Sequence, residues 1–179
     1  MRITEETARD LVAAQFPKWA DLPVRQVRSA GTVNAIFRIG SGLTARFPLA
    51  EGAAEAVRRE LLAEAYAARL LHGRTRFATP EPVAIGEPGC GYPLPWSVQT
   101  WLPGTIATDD DPGESEGFAR DLAELITGMQ AVGTDGRTFE GPGRGGVLAN
   151  HEDWVRTCLA RSERLLPVPR LRRLWEAMR

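Results

Sequence analysis

The chain has 179 residues, 43% hydrophobic and 25% charged, with 22 basic against 23 acidic side chains and a formal net charge of −1. Lys18 is the sole lysine, so the sequence holds neither a Gly-Lys-Ser/Thr phosphate loop nor a nucleotide-binding strand of the Val-Ala-Ile-Lys type. A near-zero charge speaks against a sequence-blind nucleic-acid binder, which carries a basic surplus.

No stretch approaches the roughly 18 consecutive apolar residues of a membrane span, and the opening MRITEETARD is acidic and polar, unlike a secretory signal. Cys90 and Cys158 have no ligand or redox spacing. Two ordinary buried or half-buried thiols in a cytoplasmic chain are therefore expected. Thr4 to Phe16 reads as a helix, with Thr4 as cap, Glu5 and Glu6 at the positive end of the dipole and Pro17 as stop. Period-two texture follows in Val24–Val27, Asn34–Ile39 and Leu43–Pro48, separated by Ala30-Gly31-Thr32 and Gly40-Ser41-Gly42, which predicts an antiparallel meander. An Ala-rich helix from about Gly52 to His72 places Val57, Leu61, Ala68 and Leu71 on one face. Glu64 falls on that face too, where a carboxylate needs a partner or an exit to water.

Thr79-Pro-Glu-Pro82 breaks the pattern and Val83–Ile85 restarts a strand. Gly86–Pro95 reads as a turn region, and Trp96–Leu102 as a last strand closed by Pro103-Gly104. Asp109-Asp110-Asp111 reads as a solvated loop. Beyond it the pattern is helical. Phe118, Leu122, Leu125, Ile126 and Met129 form one stripe, and Asp153–Leu166 and Val168–Arg179 are two further expected helices. Strands first and helices afterwards predict an α+β fold with a boundary near Gly104.

Several familiar constellations fail on context. Gly141-Pro-Gly-Arg-Gly-Gly146 has the letters of a dinucleotide fingerprint but lies in a long Gly-rich loop, without the strand and helix that chemistry requires. His151-Glu-Asp153 is followed five residues later by Cys158, and reads as a helix start capped by Asn150 with Asp153 near the dipole. His72 sits at a helix end beside Gly73. No G-x-S-x-G elbow and no zinc spacing occurs. What remains is a turn, Ser29–Asn34, a strand cation, Arg46, and a helix acid, Glu64. A strand cation paired with a helix acid can hold nucleotide phosphates, or can be a structural ion pair alone.

Taken in order, Ser29-Ala-Gly-Thr-Val-Asn-Ala-Ile-Phe-Arg-Ile-Gly40, Ala45-Arg-Phe-Pro48, Arg59-Glu60 with Glu64, Thr79–Gly89, Gly91–Gly104 and Phe118–Ala123 resemble the aminoglycoside phosphotransferase family of kinase-like enzymes. Gly143–Gly146 and His151–Trp154 look like a branch of it. The resemblance implies a protein-kinase-like N-terminal lobe and hinge over residues 1–103, an antiparallel sheet plus one helix. Residues 104–179 would be the first helices of an incomplete, mainly α C-terminal lobe. It puts Gly31, Thr32 and Asn34 in a hairpin loop over nucleotide phosphates, and Arg46 where many relatives carry lysine. Glu64 becomes the partner of Arg46, with Glu60 as runner-up, and Thr100, Trp101 and Leu102 become the hinge whose backbone holds the purine. ATP or GTP with Mg²⁺, and a small-molecule hydroxyl as acceptor, follow from the resemblance alone.

The family's His-Gly-Asp loop with its Asn, and its later metal-binding Asp, are expected downstream of Trp175–Arg179, so no catalytic or metal residue is assigned in this chain. The chain by itself is expected to be nearly inactive. An alternative is a non-catalytic nucleotide-binding or interaction module that kept the kinase-like lobe. Trp154, Leu159, Leu165, Leu171, Leu174 and Trp175 predict a homo-oligomer through an exposed helical face.

Overall fold

The computed structural model describes residues 2–27, 31, 33–49, 52–105, 112–138 and 147–178. The chain divides into two compact units, Met1–Val132 and Gly133–Arg179. In the first, helix α1 (Glu5–Gln15) precedes strands β1 (Val24–Val27), β2 (Asn34–Ile39) and β3 (Leu43–Pro48). Helix α2 (Ala54–Leu71), strands β4 (Pro82–Gly86) and β5 (Trp96–Thr100), and helix α3 (Glu116–Gln130) follow. The second unit holds α4 (Glu152–Arg161) and α5 (Val168–Met178).

The five strands form one sheet in the order β1-β2-β3-β5-β4, all pairs antiparallel. The predicted meander is its first part. Thr4 caps α1, its hydroxyl accepting the Thr7 N–H at 3.1 Å. Alternation along the strands puts Phe37, Ala45, Phe47, Trp96 and Val98 on one face, where Leu11 and Val12 of α1 join them in a buried core. Phe47 is central to this core, stacked on Trp96 at 4.7 Å and edge-on to Phe37 at 5.5 Å and Tyr92 at 5.3 Å. The Tyr92 hydroxyl donates to the Pro48 carbonyl at 2.7 Å, and burial raises its pKa above the ordinary tyrosine value.

The other face carries Ile36, Arg46, Ser97 and Gln99, and α2 lies against it through Leu61, Ala65 and Ala68. The far end of the sheet is pinned at Glu87. Gln15 donates to the Glu87 carbonyl at 2.8 Å and accepts its N–H at 2.7 Å, while Trp96 Nε1 donates to the same carbonyl at 3.1 Å. The Glu87 carboxylate pairs with Arg58 of α2.

Several elements depart from the sequence expectation. The β4–β5 turn region contains a small hairpin, in which Gly89 and Tyr92 exchange hydrogen bonds around Cys90 and Gly91, both at positive φ. That turn leaves Cys90 exposed rather than buried. β5 ends at Thr100, two residues short of the predicted strand. Helix α4 stops at Arg161, with turns over 162–165 where helix was expected. Asn150 is not its cap: Leu148–His151 is a 3₁₀ turn, and His151 occupies the cap position without capping the helix through its side chain. Within this second unit Trp175 Nε1 donates to Glu152 at 2.7 Å. Asp109–Asp111 and Gly141–Gly146 lie outside the described residues.

Candidate functional site

Arg46 stands on β3, opposite Ile36 of β2 and Ser97 of β5, on the face that α2 covers. Glu64 reaches it because Leu61 and Ala65, buried on the sheet side of α2, fix the rotation of the helix. Arg46 Nη1 and Glu64 Oε2 are 3.1 Å apart, with side chains 28% and 56% exposed. Glu64 therefore has both a partner and an exit to water, and Glu60, one turn earlier, is exposed and forms no hydrogen bond or ion pair with Arg46. A guanidinium has five donors in a planar fork. Apart from the bond to Glu64, those of Arg46 have no hydrogen-bond partner among the described residues. An exposed pair of this kind contributes little to stability, and the open donors suit an anion held bidentately.

Behind the pair lies a cavity of about 90 Å³ between α2 and β4–β5, bordered by Leu61, Ala68, Ile85 and Gln99. Ser97 also borders it, and its hydroxyl oxygen is buried without a partner. Gly31 and Asn34 border a different, open cleft of about 510 Å³, together with Arg2, Gln26 and Ile36. The structure thus joins Arg46 with Glu64 and groups Gly31 with Asn34, in two separate cavities. Thr32 lies outside the described residues.

The three residues expected at the hinge differ in what their backbones have free. Thr100 N–H donates to the Glu81 carbonyl at 2.9 Å, and Trp101 N–H to the Gly42 carbonyl at 2.9 Å. Glu81 N–H, which a regular ladder would aim at the Thr100 carbonyl, goes instead to the Thr100 hydroxyl at 2.8 Å. The Leu102 N–H is left without a hydrogen-bond partner among the described residues. Thr100 and Leu102 also border a cavity of about 390 Å³ with His72, Phe77 and Glu81.

Arg38 and Glu81 were not singled out by the sequence. Arg38 lies over the Trp101 ring at 4.9 Å and donates to the Ser41 carbonyl at 3.0 Å, while its Nε is buried without a partner. Strand alternation could have placed Arg38 on the Arg46 face, two residues along from Ile36; its stacking on Trp101 has no local signal.

Among the described residues no group of three or more His, Cys, Asp or Glu side chains could hold a metal ion. No helix of the described residues is long and apolar enough to cross a membrane.

No curated protein matches the chain. Three similar solved structures are complexes of aminoglycoside 2′-phosphotransferase IIIa. The wild-type GDP complex has 22% identity and a TM-score of 0.59, covering 74% of this chain and 44% of that one. The GDP complex of a point mutant has 21% identity and a TM-score of 0.59, with 74% and 43% covered. The complex with GDP and kanamycin has 22% identity and a TM-score of 0.56, with 72% and 42% covered. At these identities the likeness establishes the α+β, kinase-like fold, and the chain spans less than half the length of these relatives. The phosphotransferase enzyme family itself matches residues 24–179. A match that takes in the whole sheet, the Arg46–Glu64 pair and every helix after α1 places this chain in the phosphotransferase enzyme family.

Proposed function

We propose that residues 1–103 are the nucleotide-binding lobe and hinge of a small-molecule phosphotransferase, and residues 104–179 the first helices of its helical lobe. The observation that carries this reading is the Arg46–Glu64 pair: a strand arginine held by a helix carboxylate, with the rest of its fork open. The phosphates of ATP or GTP would meet Arg46, with Gly31, Thr32 and Asn34 over them. The purine would lie against the hinge, where the Leu102 N–H is an available donor. GDP in the similar structures supports a nucleotide as ligand. Mg²⁺, which the family resemblance implies, finds no ligand cluster among the described residues, so the part of these residues in the reaction is to bind and orient the nucleotide.

The acceptor in this reading is a hydroxyl of a small molecule. The 179 residues by themselves bind nucleotide with little turnover, because Asp153 stands at a helix start with Cys158 five residues on, and no aspartate follows it. The reading includes a cytoplasmic location, and self-association through Trp154, Leu165 and Leu174, which are 67%, 83% and 49% exposed. Light scattering that finds a monomer over a wide concentration range removes the last point.

Titration of the purified chain with ATP and with GTP, each with Mg²⁺, tests the core of the proposal. Nucleotide at 100 times its Kd stabilises a folded protein by about 2.7 kcal/mol, a readily measured rise in Tm. The expected result is such a rise, reduced in Arg46→Ala at the same nucleotide concentration. No rise with either nucleotide, or an undiminished rise in Arg46→Ala, overturns it.

A further inference from the structure

The turn between α2 and β4, residues 72–81, touches three parts of the first unit. At its start, His72 N–H closes the end of α2 on the Ala68 carbonyl at 3.0 Å, about two turns of helix beyond Glu64. At its end, Glu81 holds Thr100 of the hinge through both its carbonyl and its N–H. Between these, Arg76 reaches α3.

Arg76 Nε donates to Glu124 at 2.9 Å and Nη2 to Asp121, while the guanidinium lies 4.2 Å over the Phe77 ring. Asp121 and Glu124 are neighbours on one helix face, so the fork fixes the rotation of α3 as well as its position. One turn beyond Glu124, a Cβ on Gly128 would stand 2.5 Å from Thr75 Cγ2. A glycine at that position lets α3 close on the turn.

We propose that Arg76 is a positioning residue of the nucleotide site. By locking the turn onto α3 it sets the hinge backbone at Thr100 and the C-terminal end of α2, and with them the spacing of Leu102 N–H, Glu64 and Arg46. Arg76 borders the same cavity as Thr100 and Leu102, and its part is to set their backbone. The proposal rests on the nucleotide reading above and adds a residue remote from Arg46 to it. The Arg76 ion pairs are about half exposed, and such pairs contribute little to global stability. Their loss releases the turn without unfolding the chain.

The experiment uses the full chain with Arg76→Ala, Arg46→Ala and the charge-reversed Arg76→Glu/Asp121→Arg/Glu124→Arg, reading Kd for nucleotide, Tm, and amide hydrogen exchange at Thr100 and Glu81 without nucleotide. Remote residues shift ligand affinity by roughly 2- to 30-fold. Arg76→Ala is expected to weaken binding within that range and to speed exchange at both amides at a nearly unchanged Tm, and the charge-reversed variant to recover both. If Arg76→Ala binds like wild type while Arg46→Ala does not, the positioning role is overturned and the nucleotide reading stands. If the wild-type chain binds no nucleotide, the nucleotide reading and this role in it both fall. If Arg76→Ala unfolds, the charge-reversed variant decides: recovered affinity supports the role, and a folded but weak binder overturns it.

Discussion

Arg46 and Glu64 meet at 3.1 Å across the gap between a central strand and the helix on its face, in a pair more than half open to water on the acid side. A pair so exposed stabilises a fold by about 0–1 kcal/mol. Glu64→Gln should therefore move the denaturation midpoint very little. Hydrogen bonds to a charged group are worth about 1.5–3 kcal/mol each, so removing the Arg46 guanidinium should weaken nucleotide binding roughly ten- to a hundredfold. Arg46→Lys, which keeps charge but not the fork, should fall between. Calorimetric titration of the three variants checks this order. A large stability loss in Glu64→Gln, with affinity intact, would make the pair structural.

Gly86 closes β4 against the indole of Trp96, and a Cβ there would lie 2.1 Å from Trp96 Cε2. Trp96 is fully buried and held by Phe47, Phe16 and the Glu87 carbonyl, so it cannot retreat cheaply. Gly86→Ala should destabilise by about 1–3 kcal/mol. A Cβ on Gly42 meets nothing within 4 Å, so Gly42→Ala should stay within about 0.5 kcal/mol of wild type. Urea denaturation of both variants measures the difference, and equal midpoints would contradict the packing.

The sheet was legible because its signals are local. Period-two alternation in Asn34–Ile39 and Leu43–Pro48, with Gly40 at positive φ between them, specifies a hairpin without outside help. Helix α2 announced its own end at His72 and Gly73 and put Glu64 on the sheet side. Contacts set by docking were not legible. Gln15 finds the backbone of Glu87, and Arg76 finds Asp121 and Glu124, across sequence separations that no periodicity spans. Asn150 carries good capping chemistry, but the 3₁₀ turn ahead of α4 moves the cap position on to His151. In the site, residue types marked Arg46 and Glu64. The exchange of Glu81 N–H from the Thr100 carbonyl to its hydroxyl is a matter of backbone geometry, and left no trace in the letters.

Glu5 predicts a specific acid sensitivity. The Gln26 N–H, and after it Arg25, hold its carboxyl below the usual value of 4.5. A carboxylate whose pKa is lowered on folding stabilises the native state above its unfolded pKa, and that contribution is lost as pH falls through the folded value. The stability difference between wild type and Glu5→Gln should therefore stay constant from about pH 7 to 5 and shrink below 4.5. Denaturation at a series of pH values measures it. A difference that grows on acidification has the wrong sign for this contact.

Thr100 is the position where side-chain chemistry meets the backbone geometry of the proposed hinge. Its hydroxyl takes the Glu81 N–H at 2.8 Å. Thr100→Val keeps the shape and removes the acceptor. The exposed Glu81 N–H must then turn to water, losing a bond worth about 0.5–1.5 kcal/mol, or turn to the Thr100 carbonyl as a regular antiparallel pair would. The first route loosens the segment from β4 and the second draws it closer, and both shift the backbone of Trp101 and Leu102. Thr100→Val should lower both Tm and nucleotide affinity, whereas Thr100→Ser, which keeps the oxygen, should retain the affinity. Equal binding by the valine and serine variants would show that the hydroxyl has no part in setting the hinge.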